Sequence, residues 1–252
     1  MTVQENCKIL EINRISETIF TMRLLAKEIA GQCVPGQFLH IGCGEHLLLR
    51  RPISICDIDG DKLTLVFELR GEGTKWLSEC LVGDMLDILG PLGRGFDISG
   101  KNIIVVGGGI GVPPLLYTAK SATGNVTAVL GFRDKDRVML VDDFEGVCKE
   151  VYITTDDGSF AEHGFVSAPL ERLLINSGYD AVLACGPRGM LKAVAEVCKR
   201  YEVPCQVSME ERMGCGVGAC LVCACKTQTD GEEHMSRVCK DGPVFNAEEV
   251  VW

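Results

Sequence analysis

Four cysteines near the C-terminal end constrain the fold of this chain more than any other feature. They follow the pattern C-x4-C-x2-C-x15-C, with glycines before and between the first two: Cys215, Cys220, Cys223 and Cys239, with Gly214, Gly216 and Gly218. This is the plant-type [2Fe–2S] spacing. Three sulfurs must converge on one small inorganic core from a single loop, and glycine permits the left-handed turns that such a loop needs. The spacing therefore predicts a cluster loop that is closed by a fourth thiolate from a distant segment.

Zinc is the competing interpretation of these cysteines. Zinc sites usually consist of two C-x2-C-like pairs, or of one pair with two histidines, and a pair formed by Cys220 and Cys223 with His234 and Cys239 is compatible with that rule. The C-x4-C leader and its glycines have no role in a zinc knuckle, so the pattern favours iron–sulfur. Cys225, a fifth thiol nearby, is expected to be structural.

Composition excludes several classes of protein. The chain has 252 residues, 46% of them hydrophobic and 24% charged, which is typical of a globular protein of about two domains. A net charge of −10 without a basic run argues against nucleic-acid binding. The N-terminus lacks the basic and apolar regions of a signal peptide, and no apolar run approaches the length of a membrane span. Fourteen cysteines without a secretion signal indicate reduced thiols, so we expect a cytoplasmic protein.

Residues 1–99 are predicted to form an antiparallel β-barrel. Short β-branched or alternating runs are separated by turn residues, which is typical of small barrels. A helix is predicted over Thr74–Leu81 from its apolar spacing. The predicted strands are Lys8–Ile12, Ile19–Leu24, Phe38–Ile41 and Leu63–Phe67, and the predicted turns are Pro35-Gly36, Asp59–Asp61 and Gly90-Pro91.

Residues 100–208 are predicted to form an α/β domain with a doubly wound parallel sheet. The apolar run Asn102–Val106 leads into the glycine turn Gly107–Gly111 and then into a helical stretch, which is the first half of a nucleotide-binding βαβ unit. Residues 209–252 then form a third, small module. Further strands are predicted at Val126–Leu130, Val151–Thr154 and Ala181–Ala184, and helices at 167–177 and 188–201.

Three strand ends of this domain are candidates for one nucleotide cleft. The glycine turn precedes a helix N-terminus, where amide groups and the helix dipole hold phosphate, and Pro113 suits the first turn of that helix. Cys185-Gly-Pro187 and the polar segment Thr154–Ser159 follow two other strands. Ligands bind at the carboxyl ends of such strands. Ordinary strand-to-helix turns without a ligand remain the alternative for each segment.

The barrel offers two further candidates. Arg51, with Pro52 beside it and Ser54 three residues on, is suited to a phosphate and a flavin edge because arginine binds phosphate through two hydrogen bonds. A surface salt bridge is the alternative. Gly71–Thr74 precedes the predicted helix and is a second candidate anion site, although Thr74 is equally compatible with an ordinary helix N-cap.

The order of these parts resembles the ferredoxin reductase family of flavoproteins: a barrel with Arg-x-x-Ser and a Gly-Thr helix start, then an α/β domain with a glycine turn and Cys-Gly-Pro. With the segments Met209–Cys220 and Arg237–Phe245 added, the chain resembles the electron-transfer subunits of NAD-linked dihydroorotate dehydrogenases over essentially its whole length.

The resemblance implies three cofactors, namely FAD, NAD and a [2Fe–2S] cluster held by the four named cysteines. In the wider family an aromatic residue often stacks on the flavin where Ile53 stands, so an aromatic flavin cover is not expected. The implied FAD contacts are Arg51, Pro52, Ile53, Ser54, Glu68, Leu69, Arg70, Gly73 and Thr74, and the implied borders of the NAD site are Gly107, Gly108, Gly109, Gly111, Asp156, Cys185, Gly186 and Pro187.

The resemblance also implies a partner. The chain lacks the eight β/α units of a barrel that binds dihydroorotate, and the family supplies one as a separate FMN-containing catalytic subunit in a heterotetramer of two plus two. Electrons would pass from that subunit through the cluster and FAD to NAD⁺, in pyrimidine biosynthesis. No residue is nominated as a general acid or base.

Two other functions stay open at this point. One is the flavin and iron–sulfur subunit of another NAD(P)H-dependent reductase, of the ferredoxin, sulfide or sulfite type. Arg133, Lys135 and Arg137 are suited to the 2′-phosphate of NADP, but Asp134 and Asp136 would oppose it. The other is a zinc-bearing interaction module without enzymatic activity.

Overall fold

The computed structural model describes residues 2–176 and 178–252. The last residue of the predicted helix 167–177 and the first residue of the predicted unit 1–99 lie outside the described residues.

The first part of the chain is a closed barrel of six antiparallel strands. Alternate side chains of these strands fill its interior, among them the fully buried Leu39, Leu65 and Ile88. The strands are β1 (Val3–Arg14), β2 (Ile19–Leu25), β3 (Phe38–Ile41), β4 (Arg51–Asp59), β5 (Lys62–Glu68) and β6 (Met85–Leu92), in the order β1-β2-β5-β4-β3-β6, with helices α1 (Lys27–Ala30) and α2 (Glu72–Ser78).

The barrel is confirmed, with three corrections. The four predicted strands lie within β1, β2, β3 and β5, whereas β4 and β6 were not predicted. The predicted turn at Gly90-Pro91 is wrong, because both residues lie inside β6, where Gly90 leaves room for the Leu39 side chain. The predicted limits Thr74–Leu81 are also wrong: α2 begins at Glu72 and ends at Ser78.

The second part is an α/β domain whose sheet is parallel from β10 to β12. The strands run in the order β10-β9-β8-β7-β11-β12. From β7 the chain adds β8, β9 and β10 on one side, and it then returns to the other side of β7 to add β11 and β12. The elements are β7 (Asn102–Gly108), α3 (Pro113–Ser121), β8 (Asn125–Phe132), α4 (Val141–Glu145), β9 (Glu150–Thr155), β10 (Glu162–His163), α5 (Ser167–Ile175), β11 (Ala181–Cys185), α6 (Arg188–Arg200) and β12 (Cys205–Ser208).

Helices cover both faces of this sheet, as a doubly wound fold requires. Leu115 of α3 and Phe144 of α4 pack on one face with Val105 of β7. Leu170 of α5 and Val194 of α6 belong to the cluster on the other face. The predicted fold class is therefore confirmed.

The C-terminal segment is not a separate globule. It forms a hairpin, β13 (Ala224–Thr229) and β14 (Glu232–Arg237), and then a strand, β15 (Val244–Asn246), that pairs antiparallel with β12 and becomes the edge of the large sheet. Phe245 of β15 shares one buried apolar cluster with Phe38 of the barrel. Among the described residues, no helix is long and apolar enough to cross a membrane.

Removing a large side chain from the barrel interior should destabilise the barrel. Leu65 is fully buried, so we expect Leu65→Ala to lower the free energy of unfolding by about 2–5 kcal/mol through lost apolar contact and a residual cavity. Urea unfolding followed by fluorescence measures this change. Leu48→Ala is the matched control, because Leu48 is 99% exposed and its truncation should change stability by less than about 0.5 kcal/mol. Equal effects of the two substitutions would contradict the described core.

Candidate functional site

The structure brings the four predicted cluster cysteines together in two pairs. In the first pair, the N–H of Cys215 donates to Cys220 Sγ and the N–H of Cys220 donates to Cys215 Sγ, both at 3.4 Å. In the second pair, the N–H of Cys239 donates to Cys223 Sγ at 3.4 Å. Burial and the neighbouring Cys223 thiol raise the pKa of Cys239 to about 12. The distant fourth cysteine thus lies beside the third.

Backbone amides of the loop point at the sulfurs. The N–H of Ala219 donates to Cys215 Sγ and the N–H of Gly218 donates to Cys239 Sγ, both at 3.2 Å. Burial alone would raise the pKa of Cys215, but hydrogen bonds from backbone N–H groups, Val217 first among them, lower it to about 6. The thiolate is the form that binds metal, so the loop is built to hold negative charge on sulfur.

The pairing of the cysteines distinguishes an iron–sulfur cluster from zinc. A zinc ion gathers its four ligands around one centre. Two pairs of thiols suit a centre with two irons, each of which takes two cysteine ligands. The arrangement therefore fits a [2Fe–2S] cluster. His234, the histidine considered as a zinc ligand, is exposed on β14.

An arginine–aspartate pair ties the return segment to the cluster loop. Arg237 donates from its backbone N–H and from Nε to Asp241 Oδ2, at 2.9 and 2.8 Å, and from Nη1 to the carbonyl oxygen of Gly218 at 3.3 Å. Gly216 and Gly218 have φ angles of +72° and +83°, the left-handed conformation for which glycine was predicted. Arg237 therefore links the cluster loop to the segment that bears Cys239.

A cavity of about 960 Å³ lies between the barrel and the α/β domain. This volume is at the upper end of the range for small-molecule sites. Thr154 is buried in the cavity wall, and its hydroxyl has no hydrogen-bond partner among the described residues. Fourteen of the residues predicted to bind FAD or NAD line it: Arg51, Pro52, Ile53, Ser54, Glu68, Arg70, Thr74, Gly108, Gly109, Gly111, Asp156, Cys185, Gly186 and Pro187.

The other three predicted residues do not line the cavity. Leu69 is half-buried and its N–H donates to the carbonyl oxygen of Thr18. Gly73 is buried behind Arg51, where a Cβ would overlap the guanidinium group, and Gly107 is buried beneath Val112. Gly73 and Gly107 thus support residues that face the cavity.

The glycine turn packs directly on the end of β11. Gly107 pairs in register with Cys185, and a Cβ on Gly111 would overlap the Cys185 carbonyl group. A Cβ on Gly108 would overlap Met190 Sδ. The turn itself is a short 3-10 segment, Gly109–Gly111, that leads into α3 with Pro113 at its first position, as predicted. These contacts bring the ends of β7 and β11 together on one side of the cavity.

The barrel side presents Arg51 without an acidic partner. Arg51 Nη1 donates to the carbonyl oxygens of Leu49 and Arg50, and no ion pair of Arg51 occurs among the described residues. The surface salt bridge considered for Arg51 is therefore not formed.

Thr74 is not an N-cap but the third residue of α2, where its hydroxyl accepts from the N–H groups of Arg70 and Gly71 at 2.9 and 3.3 Å.

The basic residues considered for a 2′-phosphate are only partly available. Arg137 Nη1 donates to Glu68 Oε1 of the barrel at 2.7 Å, and Arg137 Nε lies 3.6 Å from Asp134 Oδ2. Arg133 lines the cavity, but so does Asp156. Two acidic groups contact Arg137 and a third acidic residue lines the cavity, so the site is better suited to a nucleotide without a 2′-phosphate.

One wall of the cavity was not predicted as such. Met209, Glu210, Glu211 and Met213 line it, and Met213 is two residues before Cys215. This segment leaves β12 and passes along the cavity into the cluster loop, so the two sites share a wall. The position of this segment depends on the pairing of β12 with its neighbours in the sheet. No local sequence pattern predicts that pairing.

Comparison with known proteins agrees with this geometry. Residues 210–251 match the sequence model of the iron–sulfur cluster binding domain of dihydroorotate dehydrogenase B. Among solved structures, the NADH-dependent reduced ferredoxin-NADP oxidoreductase is similar, with a TM-score of 0.88 and 30% identity over 98% of this chain and 90% of that chain. A ferredoxin reductase of carbazole 1,9a-dioxygenase shares the fold, with a TM-score of 0.68 at 20% identity over 81% of this chain and 67% of that one.

Full-length relatives are more similar still. The electron transfer subunit of dihydroorotate dehydrogenase B (NAD(+)) from Caldanaerobacter subterraneus subsp. tengcongensis is 44% identical over 97% of both chains. The protein of the same name from Bacillus pumilus is 42% identical over 94% of this chain and 93% of its own length. Since relatives that are more than 40% identical are matched over nearly the whole of this chain and of their own length, the chain belongs to the family of electron transfer subunits of dihydroorotate dehydrogenase B (NAD(+)).

Proposed function

We propose that this chain carries electrons from a partner subunit that oxidises dihydroorotate to NAD⁺, in the synthesis of pyrimidines. The observation that carries the proposal is the shared wall Met209–Met213, which joins the cavity between the two domains to the loop of Cys215, Cys220 and Cys223. A nucleotide cofactor in the cavity and a cluster in the loop would be neighbours, as electron transfer between them requires.

The chemistry belongs to the cofactors, because nicotinamide exchanges hydride, a [2Fe–2S] cluster exchanges single electrons, and FAD exchanges with both. The residues of this chain bind and orient them. We assign Arg51–Ser54, Glu68, Arg70 and Thr74 to FAD, with Leu69 and Gly73 as supporting residues behind them. Arg51 is free of acidic partners among the described residues and is therefore available to a phosphate. Cys215, Cys220, Cys223 and Cys239 hold the cluster.

NAD is assigned to the α/β side of the cavity. The glycine turn Gly107–Gly111 brings bare backbone to the N-terminus of α3, which is suited to a pyrophosphate. Cys185, Gly186 and Pro187 form the floor beside it, and Asp156 offers a carboxylate to a ribose diol. The predicted units 1–99, 100–208 and 209–252 correspond in this proposal to the FAD, NAD and cluster parts.

The partner is an FMN-containing catalytic subunit of dihydroorotate dehydrogenase, in a heterotetramer of two plus two. Its docking surface is placed around the cluster loop, where Val217, Leu221 and Val222 are 47, 63 and 58% exposed. Exposed apolar side chains that cluster in this way are typical of interaction sites. The assembly is cytoplasmic in this proposal, in keeping with cysteines that are all free thiols among the described residues.

A second candidate is supported by the similarity to the NADH-dependent reduced ferredoxin-NADP oxidoreductase. In that case a ferredoxin, and not a dihydroorotate-oxidising subunit, would face the cluster.

The cavity should prefer NADH to NADPH. We expect kcat/KM for NADH to exceed that for NADPH by about tenfold or more in dye reduction, because Arg137 is engaged by Glu68 and Asp156 repels a 2′-phosphate. Equal use of the two nucleotides would contradict the NAD assignment.

Replacing one cluster cysteine should separate the two halves of the electron path. We expect Cys220→Ser to eliminate bound iron and sulfide and to lower dihydroorotate-linked NAD⁺ reduction by the reconstituted complex by about 100-fold or more, since even an outer partner of a metal ligand is worth about 10- to 100-fold. NADH-to-dye activity should stay within about twofold, because the cavity is unchanged. Iron and sulfide analysis with both steady-state assays measures the effect.

Cys225→Ser is the matched control for this experiment. It makes the same chemical change at a buried thiol of the same segment that is not assigned to the cluster. It should retain the cluster and both activities. Equal loss of both activities in Cys220→Ser would contradict the proposed order of the cofactors.

Adding one methyl group to the glycine turn should weaken NADH binding. In Gly111→Ala the new Cβ would overlap the Cys185 carbonyl group, so the backbone must shift. Overpacking costs about 1–3 kcal/mol, and we expect the dissociation constant for NADH to rise about tenfold, with flavin content unchanged. Gly189→Ala is the control, because Gly189 lines the same cavity and a Cβ there meets nothing within 4 Å. Unchanged NADH affinity in Gly111→Ala would contradict the assigned site.

A further inference from the structure

A buried histidine lies on the barrel wall beneath the cluster loop. His40 is 1% exposed and lies on β3, opposite Pro52 of β4 and Leu89 of β6. Side chains alternate along a strand, and its neighbours Leu39 and Ile41 both point into the barrel core. The imidazole of His40 therefore points outward, towards the C-terminal segment.

The cluster loop is pressed onto this imidazole. A Cβ on Gly216 would lie 2.6 Å from His40 Nδ1, closer than side-chain packing allows. Gly216 directly follows the cluster ligand Cys215. On the neighbouring strand β4, Pro52 pairs with His40 and lines the nucleotide cavity. His40 thus stands between the part of the barrel assigned to FAD and the loop assigned to the cluster.

Neither ring nitrogen of His40 has a hydrogen-bond partner among the described residues. A buried polar group left in that condition costs about 1–3 kcal/mol, and an apolar side chain would fill the site without that cost. Burial, and secondarily the charge of Arg50, lower the pKa of His40 to about 4, so the ring is neutral and carries one N–H donor and one acceptor nitrogen. A simple packing role does not explain this residue.

We propose that His40 is a positioning residue for the iron–sulfur cluster. When the cluster is bound, the ring N–H of His40 donates a hydrogen bond from the barrel side to a sulfur atom of the cluster site. The inference rests on the proposed function, since it needs the cluster. The loop amides of Gly218 and Ala219 already donate to two cysteine sulfurs, and His40 adds a side-chain donor that belongs to the barrel. Hydrogen bonds to cluster sulfur favour the reduced form and raise the reduction potential.

The first experiment measures the reduction potential of the cluster in the purified chain with FAD and cluster bound. His40→Leu removes the donor, and His40→Gln keeps an N–H donor. We expect His40→Leu to retain iron and sulfide but to shift the one-electron equilibrium towards the oxidised cluster by about tenfold, which is about 59 mV. His40→Gln should recover part of that shift. His46→Leu, the same substitution at an exposed histidine, should leave the potential unchanged.

A second measurement needs no substitution and is therefore independent of folding of the variants. The wild-type chain is labelled with 15N-histidine and reduced, and pulsed electron paramagnetic resonance detects nitrogen coupled to the cluster spin. The chain has four histidines, and His46, His163 and His234 are exposed. We expect a weak 15N coupling in the wild-type chain.

The outcomes separate the inference from the function on which it rests. A wild-type chain without iron and sulfide overturns both. A wild-type cluster with no 15N-histidine coupling, or an unchanged potential in a His40→Leu protein that still holds its cluster, overturns only the role of His40. A shifted potential in His40→Leu that His40→Gln does not recover at all also overturns it, because the effect would then be one of packing.

Discussion

The geometry of the whole site depends on the burial of the C-terminal segment between the barrel and the large sheet. Phe245 of β15 lies in one apolar cluster with Phe38 of β3 and Val207 of β12, and Cys223 and Cys239 belong to the same cluster. Two of the four thiols are therefore part of a core, whereas Cys220 is exposed. Because protein cores are close-packed and resist small displacements, the cluster loop keeps a fixed position relative to the cavity.

Ion pairs across the cavity contribute less to this geometry. Glu68 of the barrel accepts hydrogen bonds from Arg137 at 2.7 Å and from Arg70 at 3.1 Å, and Arg70 lies 3.5 Å from Glu210. The arginine side chains are 36 and 56% exposed, and pairs of this kind are worth about 0–1 kcal/mol each. Burial of Phe245 alone, at about 25 cal/mol per Å² of apolar area, exceeds that value. Apolar packing therefore sets the spacing of the domains, and the ion pairs adjust the charge of the cavity.

The fold class and the four thiols could be predicted because their signals are local. The cysteine spacing follows from the geometry of the cluster, and the apolar run Asn102–Val106 with its glycines indicates a buried strand and a turn in any context. The strands β4 and β6 could not be predicted, because Pro52, Gly90 and Pro91 are unfavourable in most strands and are tolerated here only by the particular neighbours they have.

Features that depend on tertiary contact were also beyond sequence reasoning. The cavity wall Met209–Met213 follows from the pairing of β12 with β11 and β15, and a lone histidine in an apolar run gives no sign of which face it occupies. The start of α2 at Glu72 follows from the Thr74 hydroxyl, which bonds back to Arg70 and Gly71. In each case the information lies in a partner that is distant in sequence or in a side chain used in an unexpected way.

The glycines of the cluster loop meet two constraints, of which turn formation is the weaker. An L-residue in the left-handed region costs about 1–2 kcal/mol, and Leu221 at φ +61° shows that this loop tolerates it. Side-chain exclusion is more demanding, because a Cβ on Gly216 would meet the His40 ring at 2.6 Å and one on Gly214 would meet Cys220 Sγ at 3.1 Å. A fully buried ring on a barrel strand cannot give way, so the loop itself would have to lift. Gly216 is therefore required less for the turn that it makes than for the close approach of the cluster loop to the barrel.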